Sequence, residues 1–134
     1  MLNDLPENIV DQIGIAVCLE ESTPDDQFWQ VYLVNMKKET ITNVLVSSKG
    51  YGSIDGKEVK TSVLRHAFKQ IEGHEFALIE PIDKQLFGIN NEYWISFYLE
   101  GVMYDKKYVF VTESIKEENM IPIPLVKKPG VFIV

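Results

Sequence analysis

The stretch YWISFYLEGVMYDKKYVFV, at residues 93–111, constrains the fold of this chain more than any other. Large apolar side chains alternate with other residues on both sides of Glu100-Gly101, which suits a two-residue hairpin turn because glycine readily adopts a positive φ. Such a turn places three pairs of large residues on one face: Leu99 with Val102, Phe97 with Tyr104, and Tyr93 with Tyr108. The stretch therefore predicts an antiparallel hairpin with this face as a core stripe, although the alternation alone does not decide which of the two faces is buried.

Lys106 is the exception in this pattern, because the same register places it on the apolar face opposite Ile95. We expect a β-bulge between Asp105 and Lys107 to correct the register. The alternative is that the lysine stem lies along the apolar face and its amine reaches water at an edge of the sheet.

Other strand signals run along the whole chain. Alternating or β-branched apolar runs occupy residues 13–20, 28–35, 42–48, 75–80 and 131–134. Residues 63–71 fit either a strand or a helix capped by Ser62, and we favour a strand that forms a hairpin with 75–80 through Gly73. We expect Pro81 to end the second of these strands. Residues 83–92 are typical of a loop with one helical turn.

These signals predict a single all-β domain over residues 1–134. Short strands separated by turns, without a sustained helical pattern, favour an immunoglobulin-like β-sandwich of about seven to nine short antiparallel strands. A chain of 134 residues buries enough surface to fold as one domain without disulfides.

The loop SSKGYGSIDGKEVKTS, at residues 47–62, has the glycines of a phosphate-binding loop but not their spacing. Five residues separate Gly50 from Gly56, Lys57 is followed by Glu58, and no helix begins after the loop. Asp55-Gly56 is instead a strong two-residue hairpin signal, which would pair Ile54 with Lys57. The sequence therefore predicts a turn and no nucleotide cofactor.

Charge and cysteine content narrow the class of partner. The net charge is −7, and 12 of the 13 basic residues are lysine. Such an acidic chain is not expected to bind nucleic acid or an anionic membrane surface, because like charges repel. A single cysteine, Cys18, rules out an intrachain disulfide, and residues 1–12 lack the basic and apolar regions of a signal peptide. We expect a cytoplasmic protein that binds neither nucleic acid nor membrane.

No arrangement of residues in the sequence indicates catalysis. There is no nucleophile motif around a serine, and Cys18 has no histidine nearby in the sequence. His66 and His74 are not spaced as metal ligands. The sequence therefore predicts no catalytic residues, no metal and no cofactor.

Arg65 and His66 form the most distinctive dipeptide in the chain. In a strand their side chains point to opposite faces, so they do not act as one cluster. Arg65 suits bidentate pairing with a carboxylate, either on a ligand or within the protein at Glu80 or Asp83. Of these alternatives we expect the structural ion pair.

The hairpin face opposite the core stripe is the best candidate for binding. The predicted register places Trp94, Ser96 and Tyr98 there, beside Lys107, Asp105 and Met103. Aromatic and methionine side chains next to a few charges are typical of recognition surfaces. The alternative is that a second layer of the protein covers this face.

Several phrases of the sequence together resemble a family of short, uncharacterised bacterial proteins. They are VSSKGYG (46–52), TSVLRH (61–66), IEPID (79–83), NEYWISFY (91–98) and YDKK (104–107), and the similarity extends over residues 29–134. Some members of that family are labelled phenylalanyl-tRNA synthetase subunit, which implies an ATP-dependent ligase of class II.

The class II motifs themselves are absent from this chain. The second motif has glutamate two residues after an arginine, whereas Arg65 is followed by His66 and Ala67. The third motif ends in an arginine, whereas GYGSIDG (50–56) ends in Gly56. Without those two arginines nothing holds the triphosphate. The resemblance therefore implies at most an accessory domain or subunit, and not an active ligase.

The sequence favours a non-catalytic domain that binds a protein or peptide partner, with a homodimer as one form of such binding. The predicted binding residues are Trp94, Tyr98, Met103, Lys107 and Arg65. Two alternatives stay open: an accessory domain related to phenylalanyl-tRNA synthetase, and a small-molecule-binding sandwich whose aromatic residues line a pocket.

Overall fold

A computed structural model describes residues 8–23 and 25–134 of the chain. Within these residues it contains ten β-strands and two short 3-10 helices, Lys84–Gly88 and Glu117–Asn119, and no α-helix. The strands are β1 (Ile13–Thr23), β2 (Asp26–Asn35), β3 (Ile41–Ile54), β4 (Lys57–Lys60), β5 (Leu64–Ile71), β6 (Glu75–Ile82), β7 (Asn90–Leu99), β8 (Val102–Phe110), β9 (Ile121–Pro122) and β10 (Pro129–Ile133). The predicted all-β class is confirmed.

The strands form two antiparallel sheets. The first sheet has the order β6-β2-β1-β10-β9, and the second has the order β4-β3-β7-β8. The strand β5 pairs with the first part of β3, and β4 pairs with its last residues. The two sheets pack face to face over one large apolar core, to which both contribute: Ile13, Ile15, Val17, Val31 and Leu33 from the first, and Val44, Val46, Tyr93, Ile95, Phe97 and Tyr108 from the second.

The chain itself covers part of the outer side of the first sheet and leaves Phe76 and Leu78 of β6 exposed there. Ala16, Cys18, Tyr32 and Val34 point away from the main core and pack under Ile123 and Val126, which precede β10. Lys128 fixes this segment through an ion pair with Glu20, with 2.7 Å between Nζ and Oε2, and Tyr32 also donates a hydrogen bond to Glu20. The first sheet therefore has apolar side chains packed against both of its sides.

Both predicted hairpin turns are confirmed. Asp55 and Gly56 have φ of 51° and 78°, and Glu100 and Gly101 have the same two values. Positive φ at both central residues gives the twist that antiparallel strands need. The register follows as predicted, with Ile54 opposite Lys57, Leu99 opposite Val102 and Tyr93 opposite Tyr108. The stripe containing Tyr93 and Phe97 is the buried face of the β7–β8 hairpin.

The predicted bulge in β8 is wrong. The ladder between β7 and β8 runs without a register shift, and Lys106 stands opposite Ile95. Because β8 lies at the edge of the second sheet, the lysine amine reaches the rim, where Nζ lies 5.1 Å from the centre of the Tyr108 ring. The edge position thus satisfies the charge without any change of register.

Residues 64–71 form a strand, as preferred, but not the hairpin predicted with residues 75–80. Strand β5 pairs with β3 in the second sheet, whereas β6 pairs with β2 in the first. The turn at Gly73 therefore carries the chain from one sheet to the other. Pro81 does not end β6 either, because β6 is an edge strand, where a missing backbone N–H is tolerated.

The predictions about export and membranes concern the N-terminal residues and the helices. The prediction that residues 1–12 are not a signal peptide concerns residues 1–7 in the main, and these lie outside the described part of the chain. No helix within residues 8–23 and 25–134 has the length and apolar character needed to cross a membrane.

Candidate binding surface

The outer face of the second sheet is the side of β5, β3, β7 and β8 that points away from the core. Its side chains stand in rows across the strands, as the pairing of the four strands requires. One row is Arg65, Ser47, Trp94 and Lys107; the next is Ala67, Leu45, Ser96 and Asp105; Tyr98 and Met103 stand opposite each other in a third. The neighbours predicted for Trp94, Ser96 and Tyr98 are therefore confirmed.

The described residues leave this face open. The exposed fraction is 46% for Trp94, 50% for Met103 and 57% for Leu45, and Tyr98 is also exposed. The alternative of a second covering layer is therefore wrong for the described part of the chain. Four large apolar or aromatic side chains lie in water within a few strand spacings of one another, which is how interaction sites of soluble domains look.

A groove of about 350 Å³ crosses the centre of the outer face. Its floor contains Ser47 and Ser96, whose short side chains leave a depression between taller neighbours. The walls are formed by Arg65, Leu45, Trp94, Met103 and Asp105. Three of the five predicted binding residues therefore meet around one concave site.

The side chain of Trp94 is held in place by β8. Its Nε1 donates a hydrogen bond to Asp105 Oδ2 at 3.1 Å, and Lys107 Nζ lies 5.1 Å from the ring centre. A cation–π contact at an exposed site contributes about 0.5–1 kcal/mol. The indole is thus orientated before any partner arrives, which lowers the entropic cost of binding to it.

Glu92 fixes the lysines beside the groove. Although it lies on the outer face, its side chain is only 7% exposed, between Lys49 at 3.8 Å and Lys107 at 4.0 Å. Tyr51 donates a hydrogen bond to the same carboxylate at 3.3 Å. Partial burial, followed by the charge of Glu92, raises the pKa of Tyr51. The tyrosine therefore stays protonated and remains a donor at neutral pH.

The expected structural ion pair of Arg65 is wrong for the described residues. Glu80 is instead hydrogen-bonded to His66, whose side chain points to the other face, with 2.7 Å between His66 Nε2 and Glu80 Oε1. Arg65 is exposed and forms no salt bridge with any residue that the structure describes, Asp83 included. Its side chain forms a wall of the groove, and no carboxylate within residues 8–23 and 25–134 pairs with it.

Glu80 is the centre of a polar cluster between the sheets, which we call the Glu80 cluster. Besides the contact with His66, the carboxylate accepts hydrogen bonds from Ser48 Oγ at 2.9 Å and from the Tyr93 hydroxyl at 3.4 Å. Burial, and then the charge of Glu80, raise the pKa of Tyr93. The cluster links β6 of the first sheet to β3, β5 and β7 of the second.

The geometry of the Glu80 cluster is structural rather than nucleophilic. In a serine–histidine–carboxylate triad the histidine stands between the other two, whereas here the carboxylate stands between Ser48 and His66. The Ser48 side chain is buried and lines, with Glu80 and Tyr93, a cavity of about 170 Å³, but its hydroxyl bonds the carboxylate and not the histidine. Sequence reasoning missed this cluster because its members come from four strands and two sheets.

Elsewhere, the described chain offers little other chemistry. Among residues 8–23 and 25–134 no group of three or more His, Cys, Asp or Glu side chains is arranged to hold a metal ion. Burial raises the pKa of Cys18 to about 12, so its thiol stays protonated and unreactive at neutral pH.

The five predicted binding residues do not all take the same position. Arg65, Trp94 and Met103 line the groove, while Lys107 lies over the Trp94 ring and Tyr98 stands next to Met103 outside the groove. Sequence reasoning did not single out Leu45 and Ser47. The alternation of residues 42–48 places them opposite the buried Val44 and Val46, but that signal does not reveal which sheet they join.

The edge of β8 runs beside the same surface. A two-residue turn makes Leu99 and Val102 a hydrogen-bonded pair, so the backbone groups of Asp105, Lys107 and Val109 point away from β7. Among described residues, Asn8 Nδ2 contacts this edge by bonding the Met103 carbonyl at 2.9 Å. The rest of the edge has lysine side chains, which discourage pairing with identical strands.

No protein-family model, curated protein or solved structure matches this chain. The resemblance to a bacterial family, drawn from the phrases quoted above, therefore stays a prediction, as does any relation to phenylalanyl-tRNA synthetase.

Proposed function

We propose that the protein is a non-catalytic binding module that recognises a protein or peptide partner through the outer face of the second sheet. One observation carries the proposal. The described residues leave Leu45, Trp94 and Met103 exposed around one groove on the second sheet, with Tyr98 beside it, whereas Ile123 and Val126 cover part of the outer side of the first. An exposed cluster of this kind is stabilised when a partner removes it from water.

The residue types support recognition rather than simple apolar association. Tryptophan, tyrosine and arginine are the residues that most often dominate binding energy at protein interfaces, since they combine large area with directional contacts. Here Trp94 and Arg65 stand on opposite sides of one groove, with Ser47 between them. A groove with a fixed aromatic wall and an arginine that pairs with no carboxylate of the described residues supports binding of a specific chain segment.

Two further proposals concern fold type and location. We infer an immunoglobulin-like sandwich because the chain passes repeatedly between two antiparallel sheets, as between β2 and β3 and between β5 and β6. An experimental structure with a different strand order would refute it. We also propose a cytoplasmic location, supported by the single cysteine. Detection of the native protein outside the cytoplasmic fraction would contradict this location.

The proposed function is tested by affinity capture from native cell extract, read by mass spectrometry for proteins and for retained metabolites. Wild-type protein is compared with Trp94→Ala/Tyr98→Ala and with Leu78→Ala/Ile121→Ala, a control that removes two similarly exposed apolar side chains from the first sheet. We expect at least one protein to bind wild type and the control, and to be lost with the Trp94→Ala/Tyr98→Ala variant.

All three proteins are first checked for equal urea midpoints, so that loss of capture does not reflect unfolding. Equal recovery of every protein by both variants would refute the outer face as the binding surface. A retained nucleotide or amino acid without any protein partner would replace the proposal with small-molecule binding.

A further inference from the structure

The outer face of the second sheet is positively charged, whereas the whole chain is acidic. This difference indicates the chemistry of its partner. Strand alternation places four cations there, Lys49, Arg65, Lys69 and Lys107, and two anions, Glu92 and Asp105. The whole chain has 13 cationic and 20 anionic side chains, which leaves nine cationic and 18 anionic ones for the remainder. A surplus of positive charge on one face of an acidic protein attracts an acidic partner and orientates its approach.

The two anions of the face are already engaged, whereas its arginine is not. Glu92 is enclosed by two lysines and a tyrosine, and Asp105 accepts the hydrogen bond of Trp94. Arg65 pairs with no described residue, although Glu80 lies close in the fold and is occupied by His66. A guanidinium presents a planar fork that matches a carboxylate in two parallel hydrogen bonds. Arg65 is therefore available as a binding site for a carboxylate.

The apolar part of the groove lies directly beside that carboxylate site. Arg65, Ser47 and Trp94 stand in the same row on β5, β3 and β7. Two strand spacings, about 10 Å, therefore separate the strand that carries Arg65 from the strand that carries Trp94. Only the small Ser47 side chain stands between them, and Leu45 closes one side. This space accepts one bulky apolar side chain, with an acidic group within reach of Arg65.

Resting on the proposed function, we propose that the partner is an acidic peptide segment with a bulky apolar residue next to an aspartate or glutamate. The apolar side chain enters the groove between Leu45 and Trp94, and the carboxylate pairs with Arg65. Lys107 and Lys49, held at the rim by Glu92, add longer-range attraction that salt weakens. Two copies of this face would instead bring their surplus cations together, which disfavours a symmetric dimer through it.

The probe is a phage-displayed library of random dodecapeptides, selected on immobilised wild-type protein and counter-selected on Trp94→Ala. We expect the recovered peptides to be enriched in aspartate or glutamate beside leucine, isoleucine, phenylalanine or tryptophan. Recovery of peptides that depend on Trp94 but lack acidic residues would overturn this inference while leaving the proposed function intact. Recovery of no peptide that depends on Trp94 would count against both.

The best recovered peptide is then titrated against three variants by fluorescence anisotropy. We expect Arg65→Gln to weaken binding at least about tenfold, since a hydrogen-bonded ion pair is lost. Arg65→Lys should fall between wild type and Arg65→Gln, because the charge remains but the planar fork does not. Lys69→Gln, which removes a cation from the same face away from the groove walls, serves as the control and should change affinity less than about threefold.

A peptide with its acidic residue changed to the matching amide closes the cycle. It should bind wild type at least about tenfold more weakly and lose nothing further with Arg65→Gln. Equal affinity of the acidic and amide peptides would overturn the inference. So would tighter binding of a fluorescent oligothymidylate than of the acidic peptide, or a wild-type dimer in sedimentation that Trp94→Ala dissociates.

Discussion

Removal of the Glu80 carboxylate should destabilise the protein, because this carboxylate links the two sheets. In the native state the carboxylate contacts Ser48, His66 and Tyr93, and its side chain is only 11% exposed. In Glu80→Ala the hydroxyls of Ser48 and Tyr93 remain buried without their acceptor. His66 is better placed, since its side chain is 29% exposed and water can hydrate it.

The size of the effect follows from those contacts. A buried donor left without a partner costs about 1–3 kcal/mol, and Glu80→Ala leaves two such donors, the hydroxyls of Ser48 and Tyr93. The Tyr93 contact is long at 3.4 Å, and the mutant no longer pays for desolvating a carboxylate. We therefore expect a loss of about 3 kcal/mol. With a urea m-value of about 2 kcal/mol/M, the midpoint should fall by about 1.5 M.

The assay is urea unfolding at pH 7, followed by circular dichroism and tryptophan fluorescence. Glu80→Gln keeps the shape and one acceptor, so it should lose about half as much as Glu80→Ala. Glu58→Ala, at an exposed glutamate of β4, is the matched control and should lie within about 0.5 kcal/mol of wild type. A loss of less than about 0.5 kcal/mol in Glu80→Ala would refute the view that this cluster joins the sheets.

Three further predictions test other parts of the structure. In Trp29→Phe, the remaining Trp94 should emit at long wavelength and be quenched by iodide, whereas Trp29, at 2% exposure, should be protected in Trp94→Phe; protection of Trp94 would contradict an open outer face. Burial raises the pKa of Cys18 from 9.0 to about 12, so between these pH values the folded state keeps a proton that the unfolded state loses. The contribution of the protonated thiol to stability is therefore complete below pH 9 and disappears between pH 9 and 12. Cys18→Ala should remove up to about 1.4 kcal/mol per pH unit from that alkaline slope of the unfolding free energy, and an unchanged slope would sink the argument. Gly101→Ala should cost about 1–2 kcal/mol through its φ of 78° alone, while Gly73→Ala should cost more, since an added Cβ would lie 2.1 Å from a backbone carbonyl oxygen; equal urea midpoints for the two variants would contradict this order.

Local patterns in the sequence were sufficient for register and for the direction of side chains. Asp55-Gly56 and Glu100-Gly101 place positive φ at both turn positions, and this fixes which residues of the flanking strands stand opposite each other. The neighbours of Trp94 on β8 followed from that register. The predicted register at Lys106 is also right, and only the predicted bulge is wrong. A bulge is unnecessary because β8 lies at the edge of the sheet, which the local sequence does not reveal.

Pairings between distant segments were beyond the reach of the sequence. The strand signals of β5 and β6 are visible in the sequence, and their short connection favours a hairpin, but the two strands pair in different sheets. The groove was accessible in part: Trp94, Met103 and Arg65 were named, while Leu45 and Ser47 depended on the unforeseen neighbourhood of β3, β5 and β7.

The sequence by itself determined the strands, their alternation and the turns, because these depend on backbone conformation and on residues within a few positions of one another. Only the tertiary structure decided that Ile123 and Val126 cover part of the first sheet and that the described residues leave Trp94 and its neighbours exposed on the second. The tertiary structure also decided that Glu80 contacts His66 and that the Arg65 side chain is exposed to water. These outcomes depend on which distant surfaces bury the most apolar area together and on which polar groups that burial brings within bonding distance, and neither quantity is encoded in any single stretch of the chain.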